Sequence, residues 1–145
     1  MSNFNPFSLA GKTILVTGAS SGIGRGVAVA CSKMGAKVVV NGRNISKLEA
    51  TCSMMEQGSA AVIAGDLTAS DILPSLVASM PKLDGIVHCA GIGQRIPCKL
   101  VSEADVNGVM DVNFKAPALL MSSLLQQKKV NKGASIVFVA SIASW

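Results

Sequence analysis

The 145-residue chain suits one domain, and a domain of this length buries about 68–70% of its unfolded surface, enough for a real core. Half of its residues are hydrophobic, 14% are charged and the mean hydropathy is +0.49, yet no apolar run reaches the ~18 residues of a membrane span. The net charge of +5 comes with few aromatics (3%) and no Lys/Arg stripe, which argues against nucleic acid as a partner and suits an anionic small molecule.

Residues 1–10 read as a short arm. With neither a basic n-region nor an apolar h-region in Met1–Phe7, no signal peptide is expected. Thr13–Val16 is short, β-branched and uninterrupted, the pattern of a fully buried strand. A glycine-spaced turn follows, Thr17-Gly18-Ala19-Ser20-Ser21-Gly22-Ile23-Gly24. Arg25–Met34 then has the length and apolar content of a buried helix, ended by Gly35. Strand, glycine turn and helix N-terminus in this order make a phosphate site, because free N–H groups and the positive end of the helix dipole point at the loop. Gly18 allows a tight exit from the strand, Gly22 removes a side chain where a phosphate would approach, and Gly24 lets the helix pack on the strand.

A second strand is predicted over Lys37–Asn41, followed by Gly42-Arg43-Asn44. A helix over residues 44–55 places Ile45, Leu48 and Cys52 on one face and ends near Gly58. Ala60–Ala64 is a third strand, leading into Gly65-Asp66-Leu67-Thr68, where Asp66 or Thr68 is also placed to cap the next helix, residues 69–80. The fourth strand is Asp84–His88, running into Cys89-Ala90-Gly91, and a loop covers residues 92–101. Ser102-Glu103-Ala104-Asp105 reads as a capping box opening a long helix to Lys129, kinked at Pro117. Lys128, Lys129 and Lys132 compensate the dipole at its end. The fifth strand is Ala134–Ala140, followed by Ser141. Strict alternation predicts an α/β fold, a doubly wound parallel sheet in the order 3-2-1-4-5, with its ligand where the order reverses. Cys31, Cys52, Cys89 and Cys98 are too dispersed for a metal site, so no metal is expected and buried free thiols in a reducing cytoplasm are the default.

The loop Thr17–Gly24, with its G-x-x-x-G-x-G spacing, resembles the cofactor loop of the short-chain dehydrogenase/reductase family. The resemblance covers essentially the whole chain. It implies a Rossmann fold, one NAD(P)-binding domain over residues 1–145, and hydride transfer between nicotinamide and a small-molecule carbonyl or alcohol. A 3-oxoacyl-thioester reductase is one member that fits. The cofactor-binding residues it implies are Gly18, Ser20, Ser21, Gly22, Ile23, Gly24, Arg43, Asp66, Leu67, Ala90 and Gly91. An acid at the end of the second strand would accept from the ribose hydroxyls and repel a 2′-phosphate. Gly42-Arg43 stands there instead, which favours NADP over NAD. The family places an adenine-binding Asp at Asp66. His88-Cys89-Ala90-Gly91 is similar to its Asn-Asn-Ala-Gly, with His88 read as tying neighbouring strands together.

Asn113 matches the family Asn that holds a water in the proton relay. Ser141 matches the Ser that bonds the substrate carbonyl, with Ser144 as the runner-up. The family's Tyr-x-x-x-Lys pair, whose Tyr is the acid, has no counterpart, since the chain contains no Tyr. The sheet is therefore expected to be incomplete at its C-terminal side and the 145 residues inactive alone. The complete protein is expected to be a cytoplasmic homo-oligomer. The alternative is a non-catalytic dinucleotide-binding or regulatory module.

Overall fold

A computed structural model describes residues 5–141. Five strands, β1 (Thr13–Thr17), β2 (Lys37–Gly42), β3 (Ala60–Ala64), β4 (Leu83–His88) and β5 (Val130–Phe138), pair in parallel in the order β3-β2-β1-β4-β5. The helices α1 (Gly22–Lys33), α2 (Ile45–Cys52), α3 (Leu73–Ser79), α4 (Glu103–Met110) and α5 (Ala116–Gln126) supply the crossovers. None of the helices among the described residues is long and apolar enough to cross a membrane.

Strand side chains alternate between faces, and helices cover both, so each strand must be apolar on both sides. In β1 and β2, Ile14, Val16, Val38 and Val40 pack in one cluster with Ala28 of α1 and Leu48 of α2. Leu15 and Val39 point the other way, into a cluster with Leu73, Val77, Ile86, Leu120 and Leu124 from α3, β4 and α5. Two cores share one central strand pair.

The element boundaries move where local chemistry decides them. Helix α1 starts at Gly22, three residues before the expected Arg25, and closes on Gly35 (φ +94°). There Gly35 N–H reaches the Ser32 carbonyl and Ala36 N–H the Cys31 carbonyl, the two bonds of a Schellman end. On α2 the buried positions are Leu48 and Thr51, and Ile45 is exposed because it stands on the first turn, outside the packed face. Helix α3 begins at Leu73 rather than residue 69, with Pro74 in its first turn, where the missing N–H has no intrahelical partner to lose.

The expected long helix is present as one uninterrupted run of helical backbone from Glu103 to Gln126, made of α4, a π turn and α5, and it ends short of Lys129. The Ser102–Asp105 capping box opens α4: the Ser102 hydroxyl accepts from Asp105 N–H (3.2 Å), and the Asp105 carboxylate accepts from Ser102 N–H (2.9 Å). A π turn, Asp111–Lys115, then joins α4 to α5, with Pro117 in the first turn of α5. Pro117 has no N–H for the carbonyl of Asn113 four residues earlier, and the wider turn lies directly before it, where that missing bond has to be accommodated. Strand β5 begins at Val130 rather than Ala134, pairing Leu83 with Val130 before a register irregularity, and ends at Phe138. It is the edge of the sheet, and Val137 and Phe138 are 49% and 58% exposed.

Leu15 is fully buried in the central strand. Leu15→Ala should cost about 2–5 kcal/mol of unfolding free energy in urea titrations. A loss under about 1 kcal/mol would contradict the two-sided core.

Candidate functional site

At the C-terminal ends of β1, β2, β3 and β4 lies a cleft of about 360 Å³. The structure brings together in its walls every residue expected to bind a cofactor: Gly18, Ser20, Ser21, Gly22, Ile23, Gly24, Arg43, Asp66, Leu67, Ala90 and Gly91. Gly18 leaves β1 at φ +64°, and a Cβ there would stand 2.7 Å from the Ala90 Cα. A Cβ on Gly24 would collide with the Gly18 carbonyl. Gly22 (φ +54°) differs, since a Cβ on it would meet nothing within 4 Å and would project into open space. Ser21 is the N-cap residue of α1, but its side chain caps nothing, so the first-turn N–H groups keep their capacity for an outside acceptor. A glycine-spaced backbone turn at a helix N-terminus suits a phosphate.

The neighbouring turns complete the wall. A Cβ on Gly42 would meet Leu48 Cδ2 at 3.2 Å and Ser20 Oγ at 3.4 Å, so a longer side chain enters only if both give way. Arg43 is exposed on the rim. Asp66 Oδ1 accepts from Thr68 N–H (2.9 Å) and from Thr68 Oγ1 (2.8 Å). These bonds, with a smaller contribution from the Arg43 charge, hold the Asp66 carboxyl below its usual range. Neither Asp66 nor Thr68 caps α3, whose N-cap is Ile72, so the capping alternative falls away. Asn113 stands in the π turn and clasps the backbone of Ile92, a cleft residue: its Nδ2 donates to the Ile92 carbonyl and its Oδ1 accepts from Ile92 N–H, each at 2.8 Å.

A model of the short chain dehydrogenase family matches residues 12–145. The chain belongs to the short-chain dehydrogenase family. Its members are oxidoreductases that bind NAD or NADP. An uncharacterized oxidoreductase of Thermotoga maritima is 38% identical over 137 residues, covering 92% of this chain and 55% of that protein. A 3-oxoacyl-(acyl-carrier-protein) reductase of Rickettsia bellii is 32% identical over 134 residues, with the same two coverages, 92% and 55%. The chain thus spans about half the length of the curated relatives it matches. The solved structure of a short chain dehydrogenase of Shigella flexneri complexed with NADP superposes with a TM-score of 0.83 at 31% identity, covering 94% of this chain and 62% of that one.

Asn113 and Ser141, the two residues expected to be catalytic, are not among the described residues that line the cleft. Asn113 reaches the cleft through Ile92. Ser141 follows β5, whose end runs beside β4 through a bond from Val139 N–H to the His88 carbonyl (3.0 Å). Ser144 lies outside the described residues. His88 does not tie strands together. It is 4% exposed, and among the described residues neither ring nitrogen has a hydrogen-bond partner. Its ring stacks on Phe138 with centroids 4.5 Å apart and planes 8° off parallel. The tie is made by Thr17, whose Oγ1 accepts from Cys89 N–H (3.1 Å) and Ala90 N–H (3.2 Å).

Asn41, also missed, donates through Nδ2 to the Ile63 carbonyl (2.9 Å) and so fastens β2 to β3 beneath the cleft. The signal for both was a polar residue at the end of an apolar strand. The expectation of buried thiols also needs correction: Cys31, Cys52 and Cys89 are half-buried, and Cys98 is exposed because it sits on a surface turn behind Pro97.

Burial pushes the His88 pKa down from 6.5 to about 4. The unfolded chain therefore takes up the proton first on acidification. Stability should be level above pH 6.5 and fall between pH 6.5 and pH 4 by roughly 2–3 kcal/mol relative to His88→Phe, which keeps the stack but does not titrate. Urea midpoints of both proteins at pH 7 and pH 4.5 check this. Parallel pH profiles would refute it.

Proposed function

We propose that this chain forms the NADP(H)-binding part of an oxidoreductase that passes a hydride between a nicotinamide and a carbonyl or alcohol carbon. The supporting observation is the cleft itself: a glycine-spaced turn at the N-terminus of α1, with Arg43 on the rim and a crowded Gly42 where an acid would select NAD. The glycine loop and α1 hold the pyrophosphate, and Ile23 covers it. Arg43 pairs with the 2′-phosphate. Asp66, its Oδ1 taken by Thr68, turns its other oxygen to the adenine amino group, with the Leu67 backbone beside it. Ala90 and Gly91 let the backbone come close to a ribose.

The bound dinucleotide supplies the hydride, and the protein must orient the carbonyl and deliver a proton. Ser141 orients the carbonyl and donates to the developing alkoxide. Asn113 has both ends of its carboxamide on Ile92, so it holds a relay water through its backbone carbonyl, which Pro117 cannot satisfy. Neither residue is an acid of suitable pKa. His88 is the one His of the chain, and it is buried, stacked and neutral above pH ~4. With no Tyr present, these residues alone bind and orient but do not protonate. The substrate class is a small carbonyl compound, a 3-oxoacyl thioester being one that fits. The complete protein is a cytoplasmic homo-oligomer in this reading.

Arg43→Ala should weaken NADPH binding about tenfold or more and leave NADH unchanged in fluorescence titrations, as for loss of a charge-assisted contact. Equal wild-type affinities for NADPH and NADH would overturn the NADP assignment. NADPH oxidation by the 145-residue chain, assayed with a panel of ketones, should be absent, and steady turnover would show that some residue here is the acid.

A further inference from the structure

Thr51 is fully buried on α2, does not line the cleft and lies 27 residues beyond the glycine loop. Its hydroxyl is nevertheless bonded to that loop. Thr51 Oγ1 donates to the Ala19 carbonyl at 2.8 Å and accepts from Arg25 Nε at 3.0 Å. The Lys47 carbonyl, one turn back on α2, competes for the same proton at 3.1 Å. Arg25 reaches on from the first turn of α1, its Nη2 donating to the Ser20 carbonyl at 2.6 Å. Two consecutive loop carbonyls are therefore held by side chains behind the loop.

This matters because a peptide unit is planar and trans, so its C=O and the following N–H point in opposite directions. Fixing the carbonyls of Ala19 and Ser20 toward Thr51 and Arg25 fixes the N–H groups of Ser20 and Ser21 away from them. Ser20 and Ser21 both line the cleft. A loop free to turn over would present carbonyl oxygens there, and these repel an anion. We propose that Thr51 is a positioning residue for phosphate: with Arg25 it clamps the glycine loop so that N–H groups, not carbonyls, face the cleft. The ligand half of this inference rests on the dinucleotide reading above, while the clamp itself does not.

Glycine-rich turns carry high backbone freedom, and Thr17, bonded to Cys89 and Ala90, anchors this loop only where it leaves β1. The brace comes from α2, the helix that opens directly after the turn bearing Arg43. The two ends of the cleft, phosphate cradle and Arg43 rim, are thereby set by one helix.

The test compares the full wild-type chain with Thr51→Val, which keeps the shape and removes the hydroxyl, and Thr51→Ser, which restores it. Hydrogen exchange of residues 17–24 in the unliganded protein reads the clamp. Titration with NADPH and with adenosine 2′-monophosphate, well below the unfolding midpoint, reads the site. In Thr51→Val the loop amides should exchange faster while strand amides do not change. NADPH should bind about tenfold more weakly, as for loss of one buried hydrogen bond, and adenosine 2′-monophosphate, which has no pyrophosphate, should bind unchanged. Thr51→Ser should behave as wild type. Unchanged loop exchange in Thr51→Val overturns the clamp, and equal weakening of both ligands overturns the positioning role. A wild-type chain that binds neither ligand overturns the dinucleotide reading instead, and the exchange comparison then decides the clamp alone.

Discussion

No side chain fits between the first turn of α1 and the carbonyl of Gly18. A Cβ on Gly24 would sit inside that carbonyl's contact distance, and one on Gly18 would sit 2.7 Å from Ala90. Helix, strand end and the neighbouring β4 end thus meet backbone to backbone. That approach sets the start of α1 directly over the C-terminal end of β1, where its dipole and unpaired N–H groups act on whatever occupies the cleft. Thr17 closes the same contact from below by bridging to Cys89 and Ala90. The rest of the architecture follows from the need to support this junction. The central strands are apolar on both faces because two cores must grip them, and β2 is fastened to β3 by Asn41 so that the adjoining wall cannot splay.

The positive charge of the chain sits mostly at the other end of the sheet. Lys12, Lys37, Lys82 and Lys129 all stand at or just before the N-terminal ends of strands, and there the helices end. Lys129 shows what such a position does. Its Nζ donates to the carbonyls of Ala78 (2.9 Å) and Met80 (2.6 Å), at the end of α3 rather than of its own helix. The lysine closes the neighbouring crossover by satisfying carbonyls that a short helix leaves open. Lys129 thus acts at the C-terminus of α3, and among the described residues that line the cleft Arg43 carries the formal positive charge at its rim.

The fold was legible because its signals are local. Uninterrupted runs such as Val38-Val39-Val40 have one stable placement, between two helical layers, and the alternation of elements then leaves little choice of strand order. The cleft was legible for the same reason, since its loops follow directly from strand ends. What was not legible is non-local or depends on geometry finer than a period. Pro117 announced a disruption, but not that it takes the form of a π turn at Asp111–Lys115, which places Asn113 where its carboxamide meets Ile92. Thr51 looks like any helix threonine until its hydroxyl is found on Ala19, 32 residues away. His88 offered hydrogen bonds that the structure does not use, because its β5 neighbour is Phe138 and stacking claims the ring.

Binding and proton transfer make different demands, and this chain meets them unequally. Holding a phosphate needs oriented backbone and fixed charge, with no group poised to titrate. Moving a proton at neutral pH needs a group whose pKa is tuned toward 7. The perturbed groups all move the wrong way for that. Hydrogen bonds lower Asp66, Asp84 and Asp105, burial lowers His88 to about 4, and burial raises the thiols of Cys31, Cys52 and Cys89. Each shift deepens the charge state that the group already has at pH 7. Asp66 stays an acceptor, with Thr68 on its Oδ1, and His88 stays a neutral ring in a stack. Of these groups Asp66 and Cys89 line the cleft, one held as a carboxylate and the other as a thiol, so the shifts at the cleft favour fixed charge states, as an oriented backbone turn at a helix N-terminus does.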